Sequence, residues 1–283
     1  ENGAGDYADV IRGIDWILRY KDRLNIRVLN LSFSAPVQSF YWEDPLNQAV
    51  MKAWQAGIVV VTSAGNEGMN GEMTIGVPGN NPYVITVGAA TDNFTITDTS
   101  DDRVAKFSSA GPTVEGFVKP DVLAIGGHAL GLMDSNAQLA IQHPEFHDGG
   151  RYFEMSGTSQ ASAVVAGVAA LMLSYDDSLT NEDIKCRLMK TAKPFLNADG
   201  SLKSSMFYQG AGLINATDAV LDTNLGCVNK GLDIEKDLSG EKHFAGQAII
   251  YENEKMLLGH DATIWKDGSY AMHDATIWKD ATI

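Results

Sequence analysis

Residues 153–167 read FEMSGTSQASAVVAG, and the fold turns on this stretch. Ser159 sits between a Gly-Thr pair and a run of small residues. From residue 157 to 175 the chain is small and apolar on all sides, which predicts a central, buried helix. A helix that starts at Ser159 points free N–H groups and the positive end of its dipole at any anion forming beside the hydroxyl. A serine becomes a nucleophile only when a base takes its proton and a donor holds the oxyanion. Taken alone, the stretch reads equally well as a close-packed helix start. It is not the GxSxG elbow, because Thr158 precedes the serine and Gln160-Ala161 follow it.

Upstream, IVVVTSAGN (58–66) is a continuous β-branched run, as expected of a strand buried in a parallel sheet. RVLNLSF (27–33), YVITVGAA (83–90) and VKPDVLAIG (118–126) read as further strands. Residues 6–22 carry Tyr7, Val10, Ile11, Ile14, Ile17 and Leu18 at helical spacing. Residues 42–56 predict a second helix, Thr180 caps a further one after 157–175, and AGLINATDAVL (211–221) closes the regular part. Strands alternating with helices predict an α/β fold with a mainly parallel sheet flanked by helices. Ligands of such sheets bind at the carboxyl ends of the strands. Ser34 and Asn66 fall at such ends, so they and Ser159 could share one crevice. In SAGNEG (63–68), the Asn66 amide could donate to a substrate oxygen, or Asn and Gly could simply make a turn.

The chain has 283 residues, 45% of them hydrophobic, enough for a sizeable core, and a net charge of −15. That acidity argues against nucleic acid and anionic membrane as partners. No apolar run reaches the roughly 20 residues of a membrane span. Cys186 and Cys227 are either two small buried residues or one bridge. Residues 222–257 are polar, a linker or C-terminal extension. HDATIWKD occurs at 260–267 and again at 273–280, which makes 258–283 a short repeat tail. Its Asp and His residues lack the pattern of a calcium loop and read as a piece of a β-rich repeat.

Five motifs in order resemble the subtilisin-like serine proteases, the subtilases. SGTSQASAVVAG is similar to their nucleophile motif and VVVTSAGNEG to their oxyanion-asparagine strand. VLNLSFS (28–34) resembles the strand that pairs with substrate. VPGNNPYVITVGA (77–89) resembles the segment after the substrate pocket, where the family usually has a cis proline; Pro78 falls there. FSSAGPT (107–113) followed by KPDVLAIG (119–126) resembles a further signature. The resemblance covers residues 1–221 and implies a secreted serine endopeptidase acting on polypeptides. Ser159 would be the nucleophile. Asn66 would hold the oxyanion with the Ser159 N–H. Ser32, Phe33 and Ser34 would pair with extended peptide, and Ala64, Gly65 and Gly76 would line the pocket for the side chain before the cleaved bond. The chemistry needs no cofactor. Calcium is common in the family, but no ligand set can be placed here.

The family's triad runs Asp, His, Ser, with both partners ahead of the helix at 6–22. No Asp-Ser-Gly, Asp-Thr-Gly or His-Gly-Thr occurs, and His128, His143, His147, His243, His260 and His273 all follow Asn66. The expectation is therefore a partial catalytic domain over 1–221, incomplete at its N-terminus. The Asp and His would come from a missing N-terminal segment, and the chain alone would be nearly inert. The start at Glu1, without methionine, fits a processed or truncated chain. Ala163 and Ile125 stand where the family usually has proline. Two other readings compete: a pseudo-protease or peptide-binding module that keeps the cleft without the base, and a structural repeat protein acting through its tail.

Overall fold

The computed structural model describes residues 5–95, 97–250 and 256–258, with 249–250 and 256–258 as backbone only. Both HDATIWKD copies lie outside the described residues. In chain order the elements begin with α1 (Tyr7–Leu24), β1 (Val28–Leu31), α2 (Pro45–Gln55), β2 (Val59–Ser63), β3 (Ile85–Thr91), β4 (Arg103–Val104) and β5 (Val122–Ile125). Then follow β6 (Ala129–Leu132), α3 (Gln138–Gln142), β7 (Tyr152–Met155), α4 (Thr158–Tyr175), α5 (Asn181–Thr191), α6 (Met206–Gln209), α7 (Ala216–Leu221), α8 (Ile234–Ser239), β8 (Ala248–Ile250) and β9 (Met256–Leu258).

β1, β2, β3 and β5 pair in parallel, with β4 antiparallel on β3. β2 is buried at every residue, as its β-branched run requires. Local chemistry sets the helix ends. Asp44 accepts from the N–H of Leu46 and Asn47, which starts α2 at Pro45. Thr180 and Asp183 form a reciprocal capping box on α5. The Val77–Pro78 bond is cis, at the proline the resemblance singled out.

α4 packs across β1, β2, β3 and β5. It is buried on that side only, which corrects the expectation of a helix buried all round. Val164, Leu171 and Tyr175 are 44%, 53% and 66% exposed, and the exposed face of α4 carries no charged residue. The helix is also long and apolar enough by composition to cross a membrane, a property it shares with core helices of soluble folds. Its contacts with four strands make it a core helix here. Among the described residues β1 pairs only with β2, so its other edge is open beside α4.

A buried ionic cluster joins the sheet to α5. Lys119 Nζ donates to Asp121 Oδ2 (2.7 Å) and to the Val84 carbonyl (3.0 Å). Asp121 also accepts the Thr86 N–H at 2.7 Å and lies 3.3 Å from Lys185 Nζ. Burial pushes the Lys119 ammonium down to about 7; the Asp121 carboxylate opposes that shift and Lys185 adds to it.

Within the stretch expected as a linker or C-terminal extension (222–257), residues 222–248 pack against the rest of the chain. Cys227 is disulfide-bonded to Cys186 in α5. Asp237, 3% exposed, accepts from Tyr41 Oη (2.6 Å) and Tyr83 Oη (3.0 Å) and pairs with His243 Nδ1 (2.8 Å). Burial first, and then Asp237, raises both phenols above their ordinary range. Gly246 and Ala248 donate their N–H groups to the carbonyls of Glu115 and Gly116.

Candidate active site

Gly157 caps α4, and Ser159 lies in the first turn. N–H groups there have no acceptor within the helix. That of Thr158 donates to Asn66 Oδ1 at 3.0 Å, and Thr158 Oγ1 donates to the same oxygen at 2.9 Å. With Oδ1 held twice, the amide nitrogen Nδ2 is left facing Gly157. A Cβ built on Gly157 would stand 3.6 Å from it. The Ser159 N–H and the Asn66 amide are therefore neighbouring donors at one helix start, the arrangement an oxyanion needs.

The loop carrying Asn66 is clamped from two sides. Gly65, at φ +107°, donates its N–H to Thr158 Oγ1 (3.3 Å) and accepts from the Ser109 N–H (2.9 Å). The Glu67 N–H donates to Ser109 Oγ (3.0 Å) and the Gly68 N–H to the Phe107 carbonyl (2.9 Å). Thr158 and Ser109 are thus positioning residues that sequence reasoning did not assign. Both lie within recognisable motifs, FSSAGPT and GTS, but nothing in the sequence says which loop they clamp.

A cleft of about 730 Å³ runs past these groups. Ser32, Phe33, Ser34, Gly65, Asn66, Gly76 and Ser159 all line it, so seven of the eight expected site residues converge. Ala64 does not line it. It is fully buried behind the wall, where its carbonyl accepts the Gly76 N–H at 3.2 Å and its N–H donates to Val87 (2.9 Å). Gly76 is required by space, because a Cβ there would meet Ser34 Oγ and lie 2.7 Å from the Ala35 carbonyl.

Ser159 Oγ donates to the Ser32 carbonyl at 3.1 Å. Ser32 Oγ in turn donates to the Ser159 carbonyl (3.0 Å) and lies 2.8 Å from Ser162 Oγ. The four described histidines are engaged elsewhere. His128 pairs with Glu154, His143 with Glu145 and His243 with Asp237. His147 Nε2 lies 3.1 Å from the Met133 carbonyl. The sequence reading places no element in residues 127–155. They form the β6–β7 hairpin with α3 between its strands, and β7 leads directly into Ser159.

The model of the subtilase family matches residues 1–225. Over 225 residues the chain is 39% identical to "Serine protease AprX" of Bacillus subtilis (strain 168), a match spanning 78% of this chain and 49% of that protein. It is 36% identical over 218 residues to "Subtilisin" of Bacillus pumilus, spanning 77% of this chain and 63% of that one. The chain thus spans about half to under two thirds of the length of these curated relatives. The solved structure of the prenylagaramide maturation protease PagA superposes with TM-score 0.58 at 23% identity, over 78% of this chain and 68% of that one. The S41 psychrophilic protease gives 0.58 at 24%, over 76% and 65%. At those identities the structures speak for the fold, and the matched family and relatives carry the rest: the chain belongs to the subtilase family.

Proposed function

We propose that this chain carries the nucleophile and oxyanion side of a secreted serine endopeptidase. Ser159 attacks the scissile carbonyl. The Asn66 amide and the Ser159 N–H hold the oxyanion. Residues Ser32, Phe33 and Ser34 align extended peptide by backbone pairing. Gly65 and Gly76 bound the pocket for the side chain before the cleaved bond, with Ala64 holding Gly76 from behind. The observation that carries this reading is the pair of hydrogen bonds from Thr158 to Asn66 Oδ1, which frees the amide donor beside Ser159.

Among the described residues, no histidine or carboxylate serves Ser159 as general base or orienting group: its Oγ bonds the Ser32 carbonyl, and the described histidines pair elsewhere. We assign both groups to a further polypeptide segment that lies along the open edge of β1 and covers the uncharged face of α4. Without them, an oxyanion hole and binding alone sustain only about 10³–10⁴ over the uncatalysed rate. No metal takes part in the reaction as proposed. The Cys186–Cys227 bridge fits an oxidising, extracellular setting.

Fluorogenic peptide amides test the reading. The full-length protein cleaves them and its Ser159→Ala variant does not; equal rates for the two would refute it. A second reading, a peptide-binding module without turnover, is favoured by one feature, the bond from Ser159 Oγ to Ser32. It predicts saturable peptide binding and no release of product in the same assay.

A further inference from the structure

Ser34 lies on the peptide-aligning edge of the cleft, and its side chain is turned across it. A Cβ built on Gly65 would lie 3.1 Å from Ser34 Oγ, and one on Gly76 would collide with that oxygen. The space a side chain at Gly76 would take is therefore occupied by the hydroxyl of residue 34, which also borders the space beside Gly65 together with Ser109 Oγ (2.9 Å from a Cβ there). The segment cannot swing away easily. The N–H of Ala35 donates to the Val77 carbonyl (3.0 Å), and the Val77 N–H donates back to Ala35 (2.8 Å). Backbone pairing with a peptide uses only the main chain of residues 32–34, so it needs no side chain at 34. A side chain there has a separate consequence, because it narrows the gap into which the residue before the cleaved bond must fit.

We propose that the Ser34 side chain sets the size limit of this pocket and makes the enzyme select small residues, such as alanine and serine, before the cleaved bond over aromatic ones. The proposal rests on the hydrolytic reading above. Opening a pocket by a group the size of a methylene is worth roughly 10–200-fold in discrimination. Ser34→Gly removes both the hydroxyl and its methylene. Ser34→Ala removes only the oxygen that reaches between Gly65 and Gly76.

The experiment uses the full-length protein and a peptide amide series differing only in the residue before the cleaved bond: Ala, Ser, Leu and Phe. Competent sites are counted by stoichiometric labelling with an organophosphonate, so that misfolded variants are discounted. The wild type is expected to favour Ala and Ser. Ser34→Gly is expected to raise the Phe-to-Ala ratio of kcat/KM by at least about tenfold, with Ser34→Ala between. A Phe-to-Ala ratio unchanged in both labelled variants overturns the role of Ser34, as does a wild type that already prefers Phe. Absence of both cleavage and labelling in the folded wild type overturns the hydrolytic reading itself, a distinct result.

Discussion

Replacing Asn66 tests the oxyanion geometry in the full-length protein, and the choice of replacement matters. Asn66→Ala removes the amide donor and also the Oδ1 that accepts from Thr158 N at 3.0 Å and from Thr158 Oγ1 at 2.9 Å. Loss of one oxyanion donor costs about 10²–10³ in kcat. Asn66→Asp is nearly the same shape and keeps an oxygen for Thr158 to bind. Its second oxygen then faces the site where negative charge develops, so its kcat falls at least as far as that of the alanine variant. Thr158→Val keeps the backbone bond to Asn66 Oδ1 but deletes the hydroxyl bond to it and the weaker 3.3 Å bond that Thr158 Oγ1 accepts from the Gly65 N–H. One neutral hydrogen bond is worth about 0.5–1.5 kcal/mol, or roughly two- to tenfold in rate. The expected order of kcat is therefore wild type, then Thr158→Val, then Asn66→Ala, with Asn66→Asp no better than alanine. Steady-state cleavage of a peptide amide measures kcat and KM, with rates normalised to phosphonate-titrated sites. KM should move little across the series, because the interaction strengthens as the oxyanion forms. An Asn66→Asp enzyme that keeps wild-type kcat would refute the assignment of Nδ2 to the oxyanion.

Three further outcomes concern the fold. Joining Cys186 and Cys227 closes a loop 41 residues apart in sequence, and chain entropy puts the bridge at about 4 kcal/mol; a Cys186→Ala/Cys227→Ala variant should unfold in correspondingly less denaturant, and an unchanged midpoint would contradict this. Asp237→Ala strands the buried Tyr83 hydroxyl and leaves that of Tyr41 with only the Phe244 carbonyl at 3.4 Å, and should cost about 1–3 kcal/mol by the same measurement, whereas an unanchored linker would show no effect. The native Lys119 ammonium, pushed down to about 7, holds its proton less tightly than in the unfolded chain. Its contribution to stability is therefore present above the unfolded lysine range and lost as pH falls toward 7. Lys119→Met should abolish that part of the rise in stability between pH 7 and 10, and a slope unaltered by the substitution would count against it.

β2 was legible because it is a continuous β-branched run, whereas the roles expected of Asn66 and Ser159 came from the ordered motifs, since taken alone each reads as a turn or a helix start. What escaped the sequence depends on single contacts between distant residues. Thr158 and Ser109 clamp the Asn66 loop across separations that no local pattern encodes. Asp237 gives residues 222–248 their anchorage through two tyrosines, one of them 196 residues away. Composition made α4 apolar all round, and that property is shared by a helix buried on every side and one left uncovered on one. Ala64 fell one residue out of place because a strand end alternates between wall and backing, and its backbone rather than its side chain supports the pocket. In the same way, the turn of the Ser34 side chain toward two glycines appears only once the two segments are brought together.

The central claim is that Ser159 is an activated nucleophile beside an oxyanion site. Treating the full-length protein with a peptidyl organophosphonate and mapping the adduct by peptide mass spectrometry tests it directly. One adduct per molecule is expected, on Ser159, lost in Ser159→Ala and slowed in Asn66→Ala. A folded protein that takes up no label, or takes it up elsewhere, would contradict it.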